Sequence, residues 1–251
     1  MPIYTPGKLT LSRIQQYPIV IGESFGGGYF AGYISHTADG SPTHALIVAS
    51  RQQIGGKYAV SGNQYTGSTT DQAWGAGTAA SNTVTTGVGA GQTLTDYNAR
   101  KDFDGAVTIA VMKANTYGLS NATYPAAYFI DNINASGGFN GYTDWYLPSR
   151  FELDIAYFNL KPNTQVNDTG VPTNNYSVPL RTRGYGPLFP SQTSLTSFRE
   201  GGAESIPPDS TWSSTEASSS GAWIVTFNSG GHGNVGKAIP FPVRAFRKIA
   251  F

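Results

Sequence analysis

The residues of this 251-residue chain best suited to metal or proton chemistry are its three histidines, His36, His44 and His232. A zinc site would want a spacing such as His-x-x-x-His, and none occurs here. Each histidine is read as structural or solvent-facing, with His36 and His44 on opposite strands of a hairpin and His232 in a glycine-rich turn. Asp102-Phe103-Asp104-Gly105 has the opening of a calcium loop without its third acidic position or its distant bidentate Glu, so it reads as a turn. Asp144, Glu152 and Asp154 are the carboxylates near enough in sequence for paired acid and base work. Glu152, however, completes Ser149-Arg150-Phe151-Glu152, a capping box, and Asp154 suits the charge preference of a first helical turn. Ser213-Ser214 beside Glu216 offers hydroxyls but has neither a Gly-x-Ser-x-Gly elbow nor a nearby His. Cys is absent from the sequence, which excludes disulfides, thiolate ligands and thiol nucleophiles together. No catalytic set, metal site or cofactor is expected.

Binding is better supported. Trp74, Tyr117, Tyr124, Tyr185 and Phe189 stand in loops rich in Gly, Asn and Ser, where rigid rings give contact area at low entropic cost. The expected ligand face is built from Tyr185 and Phe189, from Trp212 and Glu216 in the 212–220 stretch, and from the His232–Asn234 turn.

The elements that must carry these residues follow from pattern. Residues 1–24 mix polar, β-branched and proline residues and read as an extended assembly or docking arm. Two β-prone runs, 29–35 and 44–50, flank Asp39-Gly40, the best hairpin signal in the chain. Gly26-Gly27-Gly28 precedes a strand, whereas a phosphate loop precedes a helix, so the run implies a bulge or a close backbone approach. Residues 55–96 shift to Gly, Ser, Thr, Ala, Asn and Gln and read as long loop, with Trp74 tucked beneath the core as a satellite. Helical periodicity appears over 125–134, where Ala126, Phe129, Ile130 and Ile133 share a face, and again over 150–160. Strands are expected at 210–215, 222–228 and 242–249. The fold class is therefore α+β: antiparallel strands at both ends, two helices between them, and long loops.

Charged residues are 12% of the chain, against about 25% in ordinary domains. Aromatics are 13%, which excludes a disordered chain. Sixteen Lys and Arg against fifteen Asp and Glu leave a net charge of +1, so neither nucleic acid nor an anionic membrane is an expected partner. No stretch approaches the roughly 18 apolar residues of a spanning helix. The start Met1-Pro2-Ile3-Tyr4 has no export-signal pattern, and a chain made in the cytosol is expected.

Three blocks together carry a resemblance: 138–153, with Gly138-Phe139-Asn140-Gly141-Tyr142-Thr143-Asp144-Trp145 leading into the capping box; Trp212-Ser213-Ser214-Thr215-Glu216 with Ala222-Trp223; and Val243-Arg244-Ala245-Phe246-Arg247. They resemble the C-type-lectin-like domain that ends bacterial collagen-like adhesins and recurs in bacteriophage virion proteins, over about residues 24–251. The resemblance implies a C-type-lectin-like fold in which N- and C-terminal strands pair. It also implies mainly structural roles for Asp144, Trp145, Glu152, Trp212, Trp223, Arg244 and Arg247. The chain departs from the calcium lectins in lacking Cys and the Glu-Pro-Asn or Gln-Pro-Asp tripeptide. The expected function is a non-enzymatic virion protein of a tailed phage, either a tail-associated receptor binder or a capsid decoration. Residues 1–24 would form its docking arm and 25–251 its lectin-like domain. Expected partners are other virion proteins, a host surface glycan or protein, and further copies of the chain, with a trimer favoured by analogy. The alternative is a bacterial surface adhesin that binds glycans.

Overall fold

The computed structural model describes residues 20–51, 72–75, 102–115 and 118–251. Most of the expected arm, nearly all of the 55–96 loop, and Tyr117 lie outside the described residues. The glycine run does what its lack of side chains permits. Gly26 and Gly27, at φ +58° and +88°, turn the chain between β1 (Ser24–Phe25) and β2 (Gly28–Ile34). A Cβ on Gly28 would stand 2.3 Å from the Val48 carbonyl oxygen, the close approach that the run implied. β2 then pairs with β3 (His44–Val48) through the loop that holds Asp39-Gly40. The Asp39 carboxylate fastens that loop, accepting from the Ser35 and Thr37 hydroxyls and the Ser41 amide.

β10 (Phe246–Ala250) pairs antiparallel with β3, and the short β5 (Ser177–Val178) pairs with β2, so one five-stranded sheet joins the early hairpin to the C-terminal strand. The last strand is shorter than the expected 242–249. Residues 242–245 leave the ladder because Arg244 turns inward, donating to the Ala49 carbonyl and lying 3.2 Å from the Glu204 carboxylate. A second sheet is the meander β6 (Ser210–Glu216), β7 (Gly221–Thr226) and β8 (His232–Gly236). β4 (Gln72–Ala73) and β9 (Pro240–Phe241) form a third, two-stranded pair. Trp74, next to β4, is 1% exposed and belongs to the main core rather than to a satellite, with its indole N–H on the Ser213 carbonyl.

Three helices, not two, are found among the described residues. α1 (Gly105–Ala114) begins where a turn was expected, because the Asp104 carboxylate is its N-cap and accepts from Val107 N. α2 (Pro125–Ala135) starts with proline in its first turn and buries Ala126, Phe129, Ile130 and Ile133, as the periodicity predicts. α3 (Arg150–Leu160) carries both halves of the capping box. Its Glu152 does more than cap: Oε2 accepts from Ser149 N and from Gly105 N, and Oε1 accepts from the Tyr146 hydroxyl. One carboxylate thus serves the N-termini of α1 and α3. α3 lies across β2, where Asn159 donates to the Ala31 carbonyl at a bulge. α3 also packs against β6 and β7, and its Asp154 meets the 161–209 loop.

Candidate functional site

α3 turns one side toward that loop, and Asp154 is on it. Asp154 lies three residues after Phe151 and four before Phe158, so it occupies the apolar face rather than a solvated first turn. Its side chain is 1% exposed. Oδ2 accepts from Asn174 Nδ2 at 2.6 Å and Arg181 Nη2 at 2.5 Å, and Oδ1 accepts from the Tyr185 hydroxyl at 2.7 Å. His232 Nε2 lies 3.2 Å from the same Oδ1. Burial alone would raise the Asp154 carboxyl, but the His232 hydrogen bond and the Arg181 charge outweigh it and hold it below the ordinary carboxylate value. The Tyr185 hydroxyl is pushed well above its usual range, first by burial and then by Asp154, so it stays a donor. Four partners use the acceptor capacity of one carboxylate. Asp154 therefore works as a brace that ties α3, the loop and β8 together.

A second brace holds the back of the loop. The Lys161 ammonium is buried and donates to the Gln165 carbonyl and to Asn167 Oδ1, while Asn167 Nδ2 donates to the Gly186 and Pro190 carbonyls. Burial lowers the Lys161 pKa. The Tyr157 hydroxyl completes this group with a 2.6 Å bond to Asn167 Oδ1.

Between the braced loop and α3 lies a cavity of about 590 Å³. Ile155, Phe158, Val178, Leu180, Tyr185 and Phe189 supply its apolar walls; Asn159 and Arg183 are among its polar ones. Phe158 and Phe189 meet edge to face at 5.3 Å, and the Arg181 guanidinium lies 4.5 Å from the Tyr185 ring centre. Phe189 is 63% exposed and forms a ridge to a second concavity of about 570 Å³, bounded by α3, Val20–Ile21 and the 190–195 stretch. The volume and the mainly apolar lining of the first cavity are those of a ligand pocket.

Of the six residues expected at the ligand face, Tyr185 and Phe189 line this cavity, and His232 reaches it through Asp154. Tyr185 is nonetheless 4% exposed. The other three are elsewhere. Trp212 is fully buried, donating its indole N–H to the Gln72 carbonyl, because β6 is covered on both faces. Glu216 is buried in an ion pair with Lys237, whose ammonium sits 4.6 Å from the Trp74 ring centre. Asn234 is exposed on β8 opposite Trp223, away from the cavity lining. Asp154, Arg181, Phe158 and Leu180 were not among the expected residues. An aspartate on an otherwise apolar helical face was the signal that Asp154 left in the sequence.

The remaining histidines stack on each other, with ring centres 4.3 Å apart, and His36 Nδ1 lies 3.7 Å from the Asp104 carboxylate that also pairs with Lys248. Burial raises the Asp104 carboxyl, but Lys248 outweighs it and the net shift is downward. Among the described residues no group of three or more His, Cys, Asp or Glu could hold a metal ion, and no helix is long and apolar enough to cross a membrane. No family model, curated protein or solved structure matches the chain.

Proposed function

We propose that the chain is a non-enzymatic binding protein of a bacteriophage virion with a C-type-lectin-like fold, and that the cavity between α3 and the 177–189 loop is its ligand face. The observation that carries the binding role is the cavity itself: a concave, aromatic-lined surface on a long loop, with walls anchored by buried hydrogen-bonded charges before any ligand arrives. Sites of this kind bind tightly because little ordering remains to be done on association. The lectin-like reading is supported by the sheet that joins the early hairpin to the last strand, by the helices packed on it, and by the buried positions of Trp145, Trp212, Glu152 and Arg244. The virion role rests on the resemblance of the three sequence blocks. Within it, the cavity favours a tail-associated receptor binder over a capsid decoration.

Mass spectrometry of purified phage particles whose genome encodes the chain tests the virion role. The chain is expected among the structural proteins, and its absence from purified particles would overturn the proposal. A monovalent antibody fragment against the 177–189 loop then separates the two virion roles. Blocked adsorption marks a receptor binder, and unchanged adsorption marks a decoration.

A further inference from the structure

The second concavity lies beside the ligand cavity, on the far side of the Phe189 ridge. Its walls are Val20, Ile21, Phe158, Asn159 and residues 189–195, polar and apolar in similar measure. Two of its apolar lining residues are exposed, Val20 at 55% and Phe189 at 63%, and Leu188 next to Phe189 is 76% exposed. An exposed apolar set of this kind on a structured surface marks a contact site.

Where the chain enters the domain indicates what covers it. Val20 and Ile21 are the first described residues and are themselves part of the wall. Glu23 N donates to the Val20 carbonyl and Gly22 N to the Phe30 carbonyl, which fixes the turn at this point. Gly22 has φ +77°, and a Cβ there would stand 2.4 Å from Leu195 Cδ1, so the turn is seated against the opposite wall of the cleft. Residues 1–19 therefore join the domain at the cleft's rim. Their sequence holds Ile3, Tyr4, Leu9, Leu11, Ile14, Tyr17 and Ile19, together with Lys8 and Arg13 and no Asp or Glu. Such a segment has apolar side chains to bury at intervals along its length. Nineteen residues can span about 60 Å when extended, more than the breadth of a folded domain of this length, and so can reach a neighbouring molecule.

We propose that this cleft receives residues 1–19 of a second copy of the chain. Each copy carries the segment and the cleft side by side, so exchange between copies is reciprocal and can close into a symmetric assembly. The exchange would cover the cleft side of the Phe189 ridge on both partners, and Val178, Leu180 and Arg183 of the ligand cavity lie outside the cleft. The inference concerns assembly and does not require the ligand face to be correctly assigned.

The test uses full-length protein. Ser191→Arg with Ser194→Arg changes two exposed positions that line the cleft but not the ligand cavity, and opposes the two cations of the segment with two more. Multi-angle light scattering should find the wild-type protein as an oligomer and the double variant as a monomer with an unchanged circular dichroism spectrum. The natural absence of Cys allows a second arm. Chains carrying Leu9→Cys, Leu11→Cys or Ile14→Cys are each mixed with isotope-labelled Ser194→Cys chain and oxidised. Mass spectrometry should find a disulfide joining a labelled to an unlabelled peptide for at least one pair. A monomeric wild-type protein, a double variant that stays oligomeric, or the absence of any cross-link between copies to position 194 would each overturn the proposal. In a doubly substituted chain, a cross-link formed only within one copy would do so as well, because it would place the segment on its own cleft.

Discussion

Asp154→Ala should be among the most damaging single substitutions outside the main apolar core. It removes the carboxylate that Asn174, Arg181, Tyr185 and His232 share, leaving Asn174 the Phe151 carbonyl, Tyr185 the Asp154 main-chain carbonyl at 3.3 Å and Arg181 the Pro172 and Arg183 carbonyls. The Arg181 side chain is 9% exposed and would keep its charge without its carboxylate. Removing one member of a buried pair costs about 3–5 kcal/mol, and the Tyr185 hydroxyl, left with its longer bond to the residue 154 carbonyl, adds little beyond that. A loss of about 4 kcal/mol is therefore expected, a large share of the roughly 5–15 kcal/mol that holds a domain folded. The cause can be separated from cavity formation by adding Arg181→Met, since replacing both members of a buried pair with apolar groups is often nearly neutral. Urea unfolding of the wild type, both single variants and the double variant should give a coupling energy of about 2 kcal/mol or more, with the double variant more stable than Asp154→Ala alone. The acid limb provides a second reading. Because the folded-state pKa of Asp154 lies below its unfolded value, its contribution is complete above the ordinary carboxylate range of about 3.9 and is lost as pH falls through the lower, folded value. Asp154→Asn should lack that part of the acid loss. A cost below about 1 kcal/mol, or additivity within about 0.5 kcal/mol, would refute the reasoning that Asp154 braces the loop.

Two further substitutions test the scaffold. Burial raises the Glu152 pKa above its ordinary 4.5, so this group's contribution to stability is greatest at low pH and declines as pH rises through the folded value. Glu152→Gln keeps an oxygen for Ser149 N and Gly105 N and an amide to donate to the Tyr146 hydroxyl. It should remain within about 1 kcal/mol of wild type at pH 7 and show a flatter stability profile above pH 4.5, whereas Glu152→Ala should lose about 2 kcal/mol by urea unfolding. Gly138→Ala should cost about 2 kcal/mol or more, read as a fall in melting temperature, because Gly138 has φ +62° and an added Cβ would stand 1.7 Å from the Tyr142 carbonyl oxygen.

What the sequence made legible was local. The capping box of α3, the proline start and apolar stripe of α2, and the hairpin around Asp39-Gly40 are each complete within a few residues, and the structure contains all three. α1 was missed because Val107, Thr108, Ile109, Val111 and Met112 are all buried, so the helix has no polar face to set a period, and its Asp104 cap resembles a turn. Trp212 was misassigned for a related reason: β6 is buried on both faces, and alternation could not show which way the ring points. At the site, Tyr185 and Phe189 were visible as aromatics in a polar loop. Leu180 and Arg181 were not, because their role depends on contacts with α3 more than twenty residues earlier in the chain.

The claim that the cavity is the ligand face is tested most directly by cell binding. Leu180→Ala with Arg183→Ala alters two exposed residues that line this cavity and not the neighbouring cleft, and changes at such positions should leave stability within about 1 kcal/mol of wild type. If the chain is the receptor binder proposed above, flow cytometry would compare labelled wild-type and variant protein on cells of the bacterium that the particles infect. The wild type should bind saturably and the variant about tenfold or more weakly, roughly the loss of 1.4 kcal/mol of contact. Equal binding by a folded variant, or wild-type binding no greater than that of heat-unfolded protein, would contradict that claim.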